Sequence, residues 1–226
     1  GFALDSKSAL AGTAPAGYYD VTPFGNCSLM HITDCHAQLL PVYFREPNVN
    51  LGVGEAVGKV PHLVGDHLLK HFNINQNSID AHAFTYLDFE AASRTYGKVG
   101  GFAHMKTLVG KVRASRPGSL LLDGGDTWQG SATALWTNAQ DMVDACIALG
   151  VNVMTPHWEM TYGAERVMEI VNGDFKNAGV DFVAQNVVTS DFGDQVFKPY
   201  VMKNINGVQV AIIGQAFPYT PIANPR

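Results

Sequence analysis

Three short segments of the chain place acidic and imidazole side chains directly after an apolar run. They are Asp34 and His36 after CSLMHIT, Asp123 and Asp126 in LLDGGDTWQG, and His157 and Glu159 in MTPHWE. Carboxylates and imidazoles are costly to remove from water unless they are paired, hydrogen-bonded or bound to an ion. A mixed set of carboxylate oxygens and imidazole nitrogens suits Mn, Fe or Zn better than Ca or Mg. The residue types therefore point to a metal site.

The spacing within these segments selects four candidate metal ligands, which are Asp34, His36, Asp126 and His157. Asp34 and His36 stand two positions apart, so their side chains point to the same side of an extended segment. Asp126 follows two glycines that let the backbone approach closely, and its two oxygens could bridge two ions.

Each segment also has an interpretation without a metal. Asp34 and His36 would suit a turn and a helix cap, and the glycines and acids of DGGDTWQG are typical of strand-to-helix loops. His157 could be an exposed loop residue, since Pro156 only favours an extended conformation at the residue before it. The metal interpretation is favoured because the same arrangement recurs after successive strands.

Strand and helix patterns alternate along the chain and predict an α/β layered domain. The predicted strands are 27–33, 118–124, 151–155 and 180–186, and the predicted helices are 103–115, 138–150 and 163–173. In open α/β sheets ligands bind beyond the carboxyl ends of the strands, where the candidate ligands stand. An Asn-Gly pair at 206–207 predicts a hairpin, which we expect to join the sheet. The stretch 54–72 is consistent with a helix interrupted at Pro61.

Composition excludes several classes of protein. The chain has 226 residues, 46% of them hydrophobic, which is enough for one large domain or a portion of a longer protein. A net charge of −5 and a pI near 5.9 argue against a nucleic-acid partner. No apolar run approaches the roughly 18–20 residues that cross a membrane, so no membrane association is predicted. The three cysteines lack the spacing of a zinc finger.

Longer motifs carry a family resemblance. HITDCHAQLLPVYFREPNVNLGVGEA, YGKVGGFAHMKTLV, LLLDGGDTWQGSATALWT and QDMVDACIALGVNVMTPHWEMTYG resemble the SoxB thiosulfohydrolases, a group within the 5'-nucleotidase-like metallophosphoesterases. The similarity runs from about Tyr19 to Arg226. The resemblance implies an N-terminal extension over 1–18 and the N-terminal part of a metallophosphoesterase domain over 19–226. That fold is a layered mixed sheet flanked by helices, an α/β/β/α sandwich, here incomplete at the C-terminus.

The same resemblance implies a cofactor, a partner and a location. The counterparts of the four candidate ligands hold two divalent ions, manganese, and the counterpart of Asp126 is shared by both. SoxB-like proteins release sulfate from a thiosulfonate on a cysteine of the SoxYZ carrier protein, in the periplasm. SoxB-like sequences commonly have glycine at the position of Pro156. The family's remaining ligands, a later histidine and a Gly-His-x-His pair, have no counterpart here, and neither does its C-terminal domain. We therefore expect this chain alone to be inactive.

The pair His157-Trp158 stands where the nucleotidases have Asn-His, whose histidine assists a departing alkoxide. Tryptophan cannot donate such a proton, but a sulfur leaving group needs less help, because a thiol has a pKa of about 8.5 against about 15.7 for water. This substitution favours a thiosulfonate over a phosphate ester. The expected nucleophile is hydroxide formed between two ions.

Trp128, Gln129 and Trp158 adjoin candidate ligands and are candidates for lining the substrate channel, although both tryptophans would equally suit core packing. Two other functions remain open. One is a 5'-nucleotidase-like phosphoesterase that uses the same ions, and the other is a catalytically incomplete fragment without turnover.

Overall fold

The computed structural model describes residue 22 and residues 24–43 and 52–220. The predicted extension over 1–18 lies outside these residues. The described part of the chain divides into two compact units. One contains 42–43 and 52–99, and the other contains 24–41 and 100–220.

The smaller unit is helical. It contains a short 3-10 helix at Gly54–Ala56, then α1 (Gly65–Phe72), α2 (Ile79–Phe84) and α3 (Phe89–Tyr96). Ser78 caps α2 by accepting a hydrogen bond from the backbone N–H of Ala81 at 3.0 Å. The helix α1 begins after Pro61, as expected from the inability of proline to continue a helix.

The larger unit is an α/β fold, which confirms the predicted class. Its strands are β1 (Leu29–Ile32), β2 (Leu120–Asp123), β3 (Val153–Met154) and β4 (Asp181–Phe182). They form a parallel sheet in the order β1-β2-β3-β4. The helices are α4 (Phe102–Ser115), α5 (Ala132–Trp136), α6 (Gln140–Leu149), α7 (Ala164–Ile170) and α8 (Lys176–Ala178). A 3-10 helix spans Glu159–Tyr162, and a π-helical segment, Val171–Phe175, joins α7 to α8.

The predicted hairpin is present as β5 (Tyr200–Ile205) and β6 (Val208–Ile213). Asn206 and Gly207 form its turn with φ of 50° and 88°, the positive values that a tight hairpin turn requires. The expectation that this pair joins the main sheet is wrong, because β5 and β6 form a separate two-stranded sheet. After β4, the chain makes two isolated bridges with the segment before β5, Val183–Lys198 and Val188–Gln195.

The hydrophobic core of the larger unit lies between the helices and the parallel sheet. Leu121 of β2, Met154 of β3 and Ile170 of α7 are almost completely buried. The π-helical segment brings Phe175 into this core, where its ring meets the Trp128 ring edge to face at 5.4 Å. In the described part of the chain, no helix has both the length and the apolar character needed to cross a membrane.

Candidate metal centre

The four predicted ligands come together beyond the carboxyl ends of β1, β2 and β3. Asp126 Oδ2 lies 3.3 Å from His36 Nε2 and 3.1 Å from His157 Nδ1. Asp34 Oδ1 lies 3.9 Å from each of the same two nitrogens. Ligand atoms of Asp34, His36 and Asp126 all lie within 4.8 Å of one another. Two carboxylates and two imidazoles from three strand ends thus lie near one another, and the closest neighbour of His157 among them is Asp126.

Backbone hydrogen bonds join the loop after β1 to the loop after β2. Asp34 N donates to Gly125 O at 2.9 Å, and His36 N donates to Asp126 O at 3.0 Å. The two loops therefore continue the parallel pairing of β1 and β2 past the end of the sheet, which sets the separation between the Asp34, His36 and Asp126 side chains.

Three of the four residues adopt a backbone conformation that side chains usually avoid. The φ angles of Asp34, His36 and Asp126 are 54°, 48° and 55°. Residues other than glycine are uncommon in this left-handed region, and when found there they cluster at functional sites. The backbone hydrogen bonds from Asp34 and His36 to the loop after β2 help to hold this conformation.

Gly125 allows the loop after β2 to approach the loop after β3. Its φ is +89°, and a Cβ at this position would lie 2.5 Å from Thr155 O and 2.8 Å from His157 N. No side chain fits in that space. The glycine is therefore required for the short distance between Asp126 and His157.

Two further buried carboxylates support these loops, and sequence reasoning placed them at strand ends without giving them a role. Asp123 Oδ1 accepts hydrogen bonds from Gly125 N and Thr127 Oγ1, both at 2.9 Å. Burial raises the pKa of Asp123 from 3.8 to about 7. Glu159 is fully buried and accepts hydrogen bonds from Thr127 N at 2.9 Å and His157 N at 2.7 Å. Burial also raises the pKa of Glu159, against the lowering effect of these N–H groups.

The residues present fit a divalent ion. Asp126 is only 2% exposed, and its Oδ1 atom is buried without a hydrogen-bond partner. His157 Nδ1 is also buried, and although it lies 3.1 Å from Asp126 Oδ2 the pair does not have the geometry of a hydrogen bond. Burial raises the pKa of Asp126, while the nearby His36 and His157 imidazoles oppose that rise. Buried polar atoms without partners are rare in folded proteins, and an ion would satisfy both atoms.

An apolar cavity of about 430 Å³ adjoins His157. Its apolar side chains come from three segments and include Met160, Val187, Val188, Phe217 and Pro218. The Phe217 ring contacts the His157 ring edge to face, with 4.3 Å between their centroids. Thr220 Oγ1 donates a hydrogen bond to His157 O at 2.8 Å. The His157 loop is thus held from this side as well.

The three predicted channel residues differ in position. Trp128 is fully buried and packs against Phe175 and Phe182. It therefore belongs to the hydrophobic core and does not line a channel, as its prediction as a channel residue required. Gln129 and Trp158 are half-buried. The Trp158 ring stands edge to face with His157 at 6.0 Å, beside the site.

The chain is similar to a solved structure of the sulfate thiohydrolase SoxB from Thermus thermophilus, with 30% identity and a TM-score of 0.67 over 92% of this chain. The calcineurin-like phosphoesterase YfkN from Bacillus subtilis matches 88% of the chain with 19% identity and a TM-score of 0.51. A 5'-nucleotidase precursor, also from Thermus thermophilus, matches 86% with 22% identity and a TM-score of 0.54. This chain covers 38%, 50% and 29% of those three chains. No protein-family model and no curated protein matches it.

These comparisons confirm the resemblance to SoxB that the motifs predict. The phosphoesterase and nucleotidase likenesses show the fold alone, which is that of the metallophosphoesterase-like hydrolases. Within the described residues, Asp34, His36 and Asp126 form a group that could hold a metal ion.

Proposed function

We propose that the protein is a dimanganese hydrolase of the SoxB type, which releases sulfate from a thiosulfonate bound to a cysteine. The convergence of Asp34, His36, Asp126 and His157 carries the proposal, because it supplies a mixed oxygen and nitrogen ligand set at the place where such folds bind ligands. The similarity to SoxB over 92% of the chain supports the substrate class.

The ligand set divides naturally between two ions. Asp126 would be shared, since one of its oxygens faces both imidazoles and the other has no partner. Asp34 and His36 would serve one ion and His157 the other. Two divalent ions held there would lower the pKa of water and offset the negative charge of the sulfonate oxygens.

The reaction is a hydrolysis without change of oxidation state. The oxygen of water forms a bond to the sulfonate sulfur, and the bond between that sulfur and the neighbouring sulfur breaks. The electron pair leaves with the neighbouring sulfur, which stays on the cysteine as a persulfide, while sulfate and a proton are released. Trp158 offers no titrating proton to the leaving group, and a sulfur leaving group does not require one.

The carrier and the compartment are proposed on the similarity to SoxB alone. The partner would be the SoxYZ sulfur-carrier protein, bound transiently in the periplasm through a small contact. The half-buried Gln129 and Trp158 are candidate contacts for the arm of the carrier that bears the cysteine.

The test is to incubate a full-length SoxB-like homologue, and this 226-residue chain beside it, with Mn²⁺ and a peptide that carries a cysteine S-thiosulfonate, and to measure sulfate by ion chromatography. A parallel assay with AMP measures phosphate release. Manganese-dependent sulfate release that exceeds phosphate release would support the proposal, and the opposite preference would favour a phosphoesterase. Binding of fewer than two ions per chain, with neither product formed, would favour the incomplete fragment.

A further inference from the structure

Glu159 lies between the two loops that carry Asp126 and His157. Its Oε1 atom accepts a hydrogen bond from Thr127 N at 2.9 Å, and its Oε2 atom accepts one from His157 N at 2.7 Å. One donor belongs to a candidate ligand, and the other belongs to the residue directly after one. A single carboxylate thus joins a loop that follows β2 to a loop that follows β3.

Core packing alone does not account for an acid at this position. Glu159 is 0% exposed, and within the described ranges no Lys, Arg or His forms an ion pair with it. A buried charge without a cation is unfavourable, and an apolar residue of similar size would fill the space without that cost. What the carboxylate adds is a pair of charge-assisted hydrogen bonds, which are about twice as strong as neutral ones.

We propose that Glu159 is a positioning residue that holds the Asp126 and His157 side chains at the separation a metal centre needs. Asp126 Oδ2 and His157 Nδ1 are 3.1 Å apart, and this distance depends on how the two loops are held. The inference rests on the proposed function in one respect, namely that Asp126 and His157 are metal ligands.

The structure indicates which substitution separates this role from simple space filling. Glutamine has the volume of glutamate but offers one acceptor oxygen and one N–H₂ donor. In Glu159→Gln one of the two backbone N–H groups, that of Thr127 or His157, would therefore face a donor. Glu165→Gln is the matched control, because Glu165 is exposed at the start of α7.

The experiment measures amide hydrogen exchange and Mn²⁺ binding in the 226-residue chain. Without metal, we expect Glu159→Gln to speed exchange at the Thr127 or His157 amide by about 10-fold or more, a change that corresponds to the loss of one charge-assisted hydrogen bond. The amide of Thr155, which donates to Asp123 O at 3.0 Å, serves as the reference within the same region. By calorimetry, we expect the Mn²⁺ affinity to fall by roughly 10–100-fold, as is typical when a partner of a ligand is lost. Glu165→Gln should change neither quantity.

The outcomes separate this inference from the proposed function. Unchanged exchange and unchanged affinity in Glu159→Gln would overturn the inference, and so would a lower melting temperature with full Mn²⁺ affinity, which would show a merely structural role. If the wild-type chain binds no Mn²⁺, the proposed function fails, while the exchange data still decide whether Glu159 joins the loops. If Glu159→Gln does not fold, the wild-type amides decide, because unprotected exchange at both Thr127 and His157 contradicts the inference.

Discussion

Asp126 Oδ2 lies 3.1 Å from His157 Nδ1, although the two residues follow different strands. The register of the sheet explains this proximity. Asp123 of β2 is paired with Met154 of β3, and Asp126 and His157 stand equally far beyond that pair. Since β2 and β3 are parallel, side chains at equal distances past the pair arrive at the same edge of the sheet.

Replacing Asp126 with asparagine should weaken Mn²⁺ binding by more than the roughly 10–100-fold that is typical of changes around the ligands. The substitution keeps the shape of the side chain but removes its charge and one of its acceptor oxygens. Calorimetry measures the affinity, and circular dichroism checks the fold. Asp66→Asn, at an exposed position of α1, is the control. Equal affinities for the two variants would mean that Asp126 is not a ligand.

Gly125→Ala should destabilise the fold by about 1–3 kcal/mol, as is usual for an overpacked site, and should also reduce metal binding. The added Cβ would lie 2.5 Å from Thr155 O, so the loops after β2 and β3 would have to separate. Gly193→Ala is the matched control, because Gly193 also has a positive φ but has no atom within 4 Å of the added Cβ. Urea denaturation gives the free energy of unfolding of both variants. A similar loss of stability in both variants would show that the positive φ alone, and not the close approach of the loops, causes the destabilisation.

Because of Asp123, the free energy of unfolding of the metal-free protein should fall as the pH rises. Burial raises the pKa of Asp123 from 3.8 to about 7, so the folded state holds this proton more tightly than the unfolded state. Its contribution is fully present below pH 3.8 and is lost as the pH rises through about 7. The slope from this one group is at most about 1.4 kcal/mol per pH unit.

Asp123→Asn should flatten that dependence, since the amide oxygen can still accept hydrogen bonds from Gly125 N and Thr127 Oγ1. Urea denaturation at about pH 5 and about pH 8, on either side of the raised pKa and with a chelator present, gives the two free energies of unfolding for each protein. Identical differences in the wild type and the variant would contradict the assignment to Asp123.

If the proposed function holds, Trp158→His should shift the substrate preference from thiosulfonates towards phosphate esters. A histidine next to His157 restores a group that can protonate an oxygen leaving group, and a positioned general acid contributes roughly 10²–10⁴-fold. We expect the ratio of AMP hydrolysis to thiosulfonate hydrolysis to rise by at least about 10-fold, a fraction of that range. Trp136→His is the control, because Trp136 is 78% exposed on α5. An unchanged ratio would remove the argument that Trp158 selects for sulfur.

The position of the candidate site could be predicted from sequence because the end of each of these strands is marked by a change of residue type. A short apolar run followed by glycine and acid indicates where a parallel strand stops, and parallel strands stop at a common edge. This reasoning is sufficient to bring Asp34, His36, Asp126 and His157 together. The sequence pattern predicts a helix over 163–173, whereas the helical segments continue without a break to Ala178, because the π-helical turn at Val171–Phe175 carries the chain past Gly173.

The supporting contacts could not be predicted in the same way. Trp128 stands close to Asp126 in the sequence, yet its ring is buried by Phe175, a contact between distant positions that no local pattern specifies. Asp123 and Glu159 are acidic like two of the candidate ligands, and they stand at the end of a strand and shortly after one, respectively. Only the direction of their side chains, towards backbone N–H groups of the loops, separates them from Asp34 and Asp126.

The strands β1 and β2 are neighbours in the sheet, although the helices of the smaller unit are encoded between them. During translation Asp34 and His36 therefore leave the ribosome together with the first strand. The helical segment of the smaller unit is synthesised next, then Asp126, and His157 follows last. Binding of an ion by all four side chains would therefore require that the chain has been synthesised at least as far as His157. A nascent chain that pauses before β3 offers three of these four donors, namely Asp34, His36 and Asp126.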